Sequence, residues 1–277
     1  MIIINGHSGC NLNINEATYQ TTITKTSFSE PYSKRLKLQA KKQREFKNET
    51  IFKSPKITGE NLLENIYSFE MEYISGLNFL SFVEKSSPKK LKIFFENLKN
   101  LLYANIINSS YIPYPKASIC KKVSSIRKKL KKRNKIIENC LNFVYNFNSR
   151  VLLPAGYCHG DLTFSNIIFT RNSNTIYLID FLDNFFDTPL QDIVKIRQDT
   201  VHHWILHKNT QNIDKLKVQL ALSYIDNNLV KFLEQFQFYN EFYKVFQILN
   251  LLRIIAYTKD ESTYNYIVHH LDLELLK

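Results

Sequence analysis

A change of hydrophobic period at Gly76 divides this sequence into two unlike parts. Before it, apolar residues recur at extended spacing: Ile2–Ile4, then Leu12 with Ile14, then the alternating Tyr19–Thr26, then Pro55 with Ile57, then the short run Ser68–Ile74. Only 33–48 reads there as a helix, and a polar one. After Gly76 the period becomes helical over 77–84, 88–108, 116–147, 189–207, 214–237 and 239–257. One interruption, 151–183, carries the extended pieces Tyr157–His159, Ile167–Phe169 and Ile176–Ile179. Strands followed by helices, without regular alternation, predict an α+β fold: a small β-rich N-terminal lobe over 1–75 and a large, mainly helical C-terminal lobe over 76–277. The 44% hydrophobic residues are ample for a packed core and exclude a disordered chain.

Bulk features narrow the function classes further. Cys10, Cys120, Cys140 and Cys158 are widely spaced and form no C-x-x-C pair, so neither a zinc site nor a disulfide framework is expected. Met1-Ile2-Ile3-Ile4-Asn5 has no basic flank and no long apolar stretch, and no run approaches the ~18 apolar residues of a membrane span. The expectation is a cytoplasmic protein. The net charge of +12 is concentrated in two segments. Residues 116–135 hold ten Lys/Arg and no acid, and 34–56 hold nine against Glu45 and Glu49. Either segment is a solvated helix face or an attraction for an anionic partner, such as a membrane surface; nucleic acid is not expected.

The chemistry is concentrated in Tyr157-Cys158-His159-Gly160-Asp161-Leu162-Thr163-Phe164-Ser165-Asn166 and Ile176-Tyr177-Leu178-Ile179-Asp180-Phe181. Phosphoryl transfer to a hydroxyl needs a carboxylate to orient the hydroxyl and accept its proton. It also needs hard oxygen ligands that hold Mg²⁺ against the phosphates. The pattern H-x-D-x-x-x-x-N supplies the carboxylate, Asp161, and an amide oxygen, Asn166, on one loop. An aspartate closing the following strand, Asp180, supplies the second metal ligand. A lone His-Gly-Asp is a weak signal; the ordered set is a specific one.

These residues resemble the aminoglycoside phosphotransferase and choline kinase family, whose fold is protein-kinase-like. The resemblance runs through most of the chain and is strongest over 157–192. It implies that Asp161 is the catalytic base, that Asn166 and Asp180 bind magnesium, and that His159 and Asp192 are structural. It places a phosphate loop at Gly6-His7-Ser8-Gly9, where Gly6, Ser8 and Gly9 would cradle phosphate oxygens; a plain hairpin turn has the same pattern. It makes Lys25 the phosphate-binding lysine, with Glu45 preferred over Glu49 as its acidic partner. Phe69–Gly76 becomes the lobe-connecting hinge, in which the Glu72 carbonyl and the Ile74 N–H would hydrogen-bond adenine. Asp183, Asp187 and Arg197 become candidates to line an acceptor pocket.

Two departures separate this chain from regulated protein kinases. Gly160 stands where many have an arginine that pairs with an activation-loop phosphate, and only eleven residues separate Asp180 from Asp192. The expected function is therefore transfer of the γ-phosphate of ATP, with Mg²⁺, to a hydroxyl of a small molecule: a sugar, sugar acid or amino alcohol, in cell-envelope glycan or lipid metabolism. Two other classes use the same residues differently. One is a nucleotide-sensing module on a degenerate kinase fold, and the other a basic nucleic-acid-binding protein. His203 and His207 have i,i+4 spacing but lack the H-E-x-x-H glutamate, since Trp204 occupies its place, so no metal site is expected there.

Overall fold

A computed structural model describes residues 2–5, 10–16, 21–47, 51–171 and 174–276. The first elements are β1 (Ile2–Asn5), β2 (Cys10–Glu16), β3 (Thr21–Ser27), α1 (Glu30–Glu45), β4 (Phe52–Lys53), β5 (Ile57–Leu63) and β6 (Ile66–Glu72). Then come α2 (Phe79–Lys85), α3 (Pro88–Ile107), β7 (Ser110–Ile112), α4 (Lys116–Lys129), α5 (Lys135–Asn146) and β8 (Leu153–Ala155). The chain ends with β9 (Ile167–Phe169), β10 (Ile176–Leu178), α6 (Pro189–Thr200), α7 (Trp204–His207), α8 (Lys215–Leu233), α9 (Gln237–Ile255) and α10 (Glu261–Leu276). The α+β class expected from the sequence is the class observed.

The chain forms two compact units that cut across the division at Gly76. The first comprises Met1–Leu101, His159–Asn184 and Asn212–Val218; the second comprises Leu102–Cys158, Phe185–Gln211 and Gln219–Lys277. The segment His159–Asp180 thus belongs to the same unit as Lys25 and the run Phe69–Gly76.

In the first unit an antiparallel sheet has the order β1-β2-β3-β6-β5. Glu64 and Asn65, both at positive φ, turn β5 into β6, the backbone twist that a two-residue hairpin requires. Helix α1 starts at Glu30-Pro31, whose acid and fixed φ suit a first turn, and ends on Lys42 and Arg44. It lays Leu36 and Ala40 on Tyr67, Phe69 and Met71 of β6. A smaller sheet, β4-β10-β9, holds β10 parallel to β4 and antiparallel to β9. Phe79 of α2 stacks on Phe164 with centroids 4.2 Å apart, so the 3-10 turn Phe164–Asn166 is anchored by a buried ring two residues before Asn166.

The second unit packs α5, α6 and α10 around α9, whose residues from Phe238 to Ile255 are largely buried. Three local expectations fail here. The periodicity over 116–147 is real, but the helix breaks: Leu130 ends α4, and the Asn134 side chain caps α5 by accepting from the Ile137 N–H at 2.9 Å. The expected helix over 189–207 breaks where His203 turns left-handed at φ 53°. Tyr157–His159 is irregular rather than a strand; the nearby strand is β8, paired with β7. Helix α10 has no counterpart in the sequence reading, because its buried face includes Thr263 and Glu274 beside Ile267 and Leu271.

Candidate active site

The loop after β8 is held by the ring of His159. That ring is buried and lies 4.2 Å from the Phe181 ring. Its Nε2 meets the Ile179 carbonyl at 2.8 Å, and its Nδ1 accepts from the Asp161 N–H at 3.2 Å. Both bonds require the neutral tautomer with its proton on Nε2. Burial, only partly countered by Asp161, the Ile179 carbonyl and Asp180, pushes the imidazole down to about 4. The unfolded chain, titrating near 6.5, therefore binds more protons between that value and about 4. Stability from this ring is complete above about pH 6.5 and is lost as the pH falls through the window. Denaturant titrations at about pH 7.5 and about pH 5 should show wild type losing ~2 kcal/mol more than His159→Gln. Equal losses would mean that the ring is not neutral in the fold.

Asp161 is fixed from both ends. The Asn166 Nδ2 donates to its carbonyl at 2.8 Å and to its Oδ2 at 3.1 Å, and the Thr163 N–H donates to its carbonyl at 2.7 Å. With its amide nitrogen spent on Asp161, Asn166 has its side-chain oxygen left to offer a cation. The Ile179 N–H donates to the Asn166 carbonyl at 3.0 Å, which ties the loop to the segment leading into Asp180. Asp180 itself is left-handed at φ 62°, an unfavourable conformation for a residue other than glycine. Its carboxylate pairs with the Nζ of Lys25, which is buried on β3. Burial opposes the charge on Lys25, but the Asp180 carboxylate outweighs it, and the ammonium is held above the ordinary lysine range.

These groups fit magnesium. Asn166 and Asp180 provide hard oxygen donors, and the Asp180 side chain is half exposed. Among the described residues no group of three or more His, Cys, Asp or Glu is arranged to enclose a metal. Two protein oxygens suit an ion that takes its remaining ligands from phosphate and water, as Mg²⁺ does.

Gly160 has a physical reason to be glycine. Its φ is +89°, and a Cβ would lie 2.5 Å from both the Leu182 carbonyl oxygen and the Asn184 amide nitrogen. The Leu182 N–H in turn donates to the His159 carbonyl at 3.0 Å, so this close approach locks the loop to the segment after Asp180. Gly160→Ala should lower stability by about 1–3 kcal/mol and phosphoryl transfer by roughly 10²-fold, with a much smaller change in nucleotide affinity. Unfolding curves and steady-state rates measured on the same preparation check this. In the expected hinge, a Cβ on Gly76 would meet Ile168 and the Phe169 carbonyl at 2.5 Å. The Glu72 N–H is committed to the Lys56 carbonyl at 3.0 Å, whereas the Ile74 N–H makes no hydrogen bond among the described residues. Gly6, Ser8 and Gly9 lie outside the described residues.

Several expected residues have other partners. Glu45 does not meet Lys25: it lies exposed at the end of α1, 3.7 Å from Lys41, and the acid that reaches Lys25 is Asp180. Asp183 is engaged by α1, accepting from Arg35 at 2.9 and 3.1 Å and from Gln39 at 3.0 Å. Burial would raise its pKa, but these donors hold it below the usual carboxylate range. Lys42 adds a bond to the Leu182 carbonyl at 2.9 Å. Arg35, Gln39 and Lys42 follow i, i+4, i+7, one helical stripe beside the apolar one. That stripe is the signal by which sequence reasoning had the means to find this tether, and missed it.

In the second unit Arg197 is engaged by internal partners. Its side chain is 12% exposed, donates to Asp226 at 3.0 and 3.1 Å and to the Tyr239 hydroxyl at 2.7 Å, and lies over the Tyr243 ring at 4.4 Å. Its five donors are largely used in joining α6 to α8 and α9. Asp187 is exposed, and its Oδ1 accepts from the Cys158 thiol at 3.3 Å. Asp192 is buried in the first turn of α6, a helix capped by Thr188 and opened by Pro189.

Part of the 116–135 charge meets partners at the surface of the same unit. Lys116 donates to the carbonyls of Tyr145 and Phe147, Lys129 to the Tyr257 hydroxyl at 2.8 Å, Lys132 pairs with Glu261, and Arg127 and Arg133 lie 3.5 Å from Glu138. Among the described residues no helix is long and apolar enough to cross a membrane.

No protein-family model matches this sequence, and no curated protein matches it significantly. Solved structures do match in fold. A Plasmodium vivax ethanolamine kinase aligns over 99% of this chain and 81% of its own, with a TM-score of 0.53 and 20% identity. An aminoglycoside-3'-phosphotransferase of type VIII aligns over 90% of this chain and 94% of its own, at TM-score 0.55 and 12% identity. A macrolide 2'-phosphotransferase type I aligns over 98% and 90%, at TM-score 0.60 and 10% identity. The chain has the protein-kinase-like fold of the aminoglycoside phosphotransferases and choline kinases, as the sequence resemblance implies.

Proposed function

We propose that this protein is a phosphotransferase that moves the γ-phosphate of ATP to a hydroxyl of a small molecule. The observation that carries the reading is the convergence, in one compact unit, of Asp161, Asn166, Asp180 and Lys25. The Asn166 amide orients the Asp161 carboxylate toward an incoming hydroxyl, and Asp161 takes the hydroxyl proton as the oxygen attacks phosphorus. Lys25 and Asp180 neutralise each other; with the nucleotide in place, Lys25 turns its charge to the phosphates and Asp180, with Asn166, to the cation. Mg²⁺ held there would supply positive charge to the β- and γ-phosphate oxygens. The free Ile74 N–H suits an adenine acceptor nitrogen. Neutral His159 donates to Ile179 and keeps the loop and Asp180 in register.

Acceptors of the sugar, sugar acid or amino alcohol class fit this chemistry. Asp183 and Arg197 are engaged by internal partners; Asp187 is exposed and is the candidate carboxylate for a cationic acceptor. The exposed cations of 34–56 and 116–135 are candidates for contact with an anionic surface. Labelled ATP incubated with sugars, sugar acids, choline, ethanolamine and aminoglycosides tests the reading. Transfer to at least one acceptor is expected. Tight ATP binding with no transfer to any would favour a nucleotide-sensing module instead.

A further inference from the structure

A cavity of about 640 Å³ lies in the first unit, lined by none of the phosphoryl-transfer groups. Its floor is aromatic. Phe82 of α2 stacks on Phe169 of β9 with centroids 3.8 Å apart and planes 5° from parallel, and Phe94 of α3 meets Phe169 edge-on at 5.2 Å. Its rim is cationic: Lys85, Lys90 and Arg171 line it, and among the described residues no Asp or Glu does. None of these three cations forms an ion pair among the described residues.

The cavity is on the opposite face of β9 from the hinge. Side chains alternate along a strand, and Ile168 is the residue packed on Gly76, so its neighbour Phe169 faces away. The volume falls in the ~300–1,000 Å³ range of small-molecule sites. Phenylalanine rings offer a flat apolar bed but no hydrogen-bond partner, so the ligand body must be apolar. Three uncompensated cations at the mouth repel one another and attract a negative head group.

We infer that this cavity binds a small amphipathic anion. An aromatic or short acyl body lies on Phe82, Phe94 and Phe169, and a carboxylate, sulfonate or phosphate group meets Lys85, Lys90 and Arg171. The site is independent of the phosphotransfer reading, and it needs neither nucleotide nor acceptor.

Fluorescence of anilinonaphthalene sulfonate with the full chain tests it. One saturable site is expected, from which decanoate displaces the dye while ATP with Mg²⁺ does not. Decanol, with the same body and no charge, should compete at least about tenfold more weakly. The double substitution Lys90→Glu with Arg171→Glu, at two exposed positions, should weaken dye and decanoate by roughly tenfold or more. Phe82→Ala should weaken both without regard to salt. Displacement by ATP would place the dye in the nucleotide site and overturn the inference. So would equal competition by decanol and decanoate, or affinity unchanged by the charge reversal in a variant whose melting curve matches wild type.

Discussion

Asp161→Asn should yield a folded protein that binds nucleotide as wild type does and transfers almost no phosphate. The substitution keeps the side-chain shape and an oxygen that can accept the Asn166 amide, now 3.1 Å from Oδ2. The backbone bonds to the Asp161 carbonyl are untouched. What is lost is the basicity that accepts the hydroxyl proton as the new P–O bond forms. General base catalysis contributes typically ~10²–10⁴-fold, so a fall of that size in kcat is expected with little change in nucleotide affinity. Calorimetry with a nonhydrolysable nucleotide and a labelled-phosphate assay separate the two. A variant that transfers at the wild-type rate to the wild-type acceptor would remove Asp161 as the base.

Asp180→Asn should abolish transfer by another route and also weaken the fold. Lys25 is buried, and the carboxylate of Asp180 is what keeps it charged. Removing one partner of a fully buried pair costs about 3–5 kcal/mol; Asp180 is half exposed, so about 1–3 kcal/mol is expected here. The double variant Lys25→Met with Asp180→Asn should recover part of that stability, because no unpaired ammonium is left in the interior. Neither protein should show Mg²⁺-dependent binding of ATP. A double variant no more stable than Asp180→Asn alone would show that the pair does not govern stability.

The groups that the structure brings together around Asp161 and Asp180 were legible because their spacing along the chain is local. Asp161 and Asn166 act from one loop, and Asp180 closes the next strand, so local order was enough to name them. Lys25 was legible from its place on a strand. Its partner was not, because the choice between Glu45 and Asp180 depends on which way α1 faces. Residues 36 and 40 turn inward onto β6, which leaves Glu45 in solvent. The same rotation gives Asp183 to Arg35 and Gln39 instead of to an acceptor. Arg197 looked like a ligand because it is a cation on a helix near the site motifs. It is instead a bracket whose partners, Asp226, Tyr239 and Tyr243, are 29 residues or more distant in sequence.

The sequence by itself therefore determined the α+β class and the ordered set Lys25, His159, Asp161, Asn166 and Asp180, since period and short spacing are local properties. It also marked Gly76 and Gly160, scarce residues at positions where a Cβ has no room. Only the tertiary structure decided which charges neutralise which. It paired Lys25 with Asp180, tied Asp183 to α1, paired Arg197 with Asp226, and left Lys85, Lys90 and Arg171 uncompensated around an aromatic cavity. An ion pair depends on distance in space and on exclusion of water, and both are set by how the elements pack.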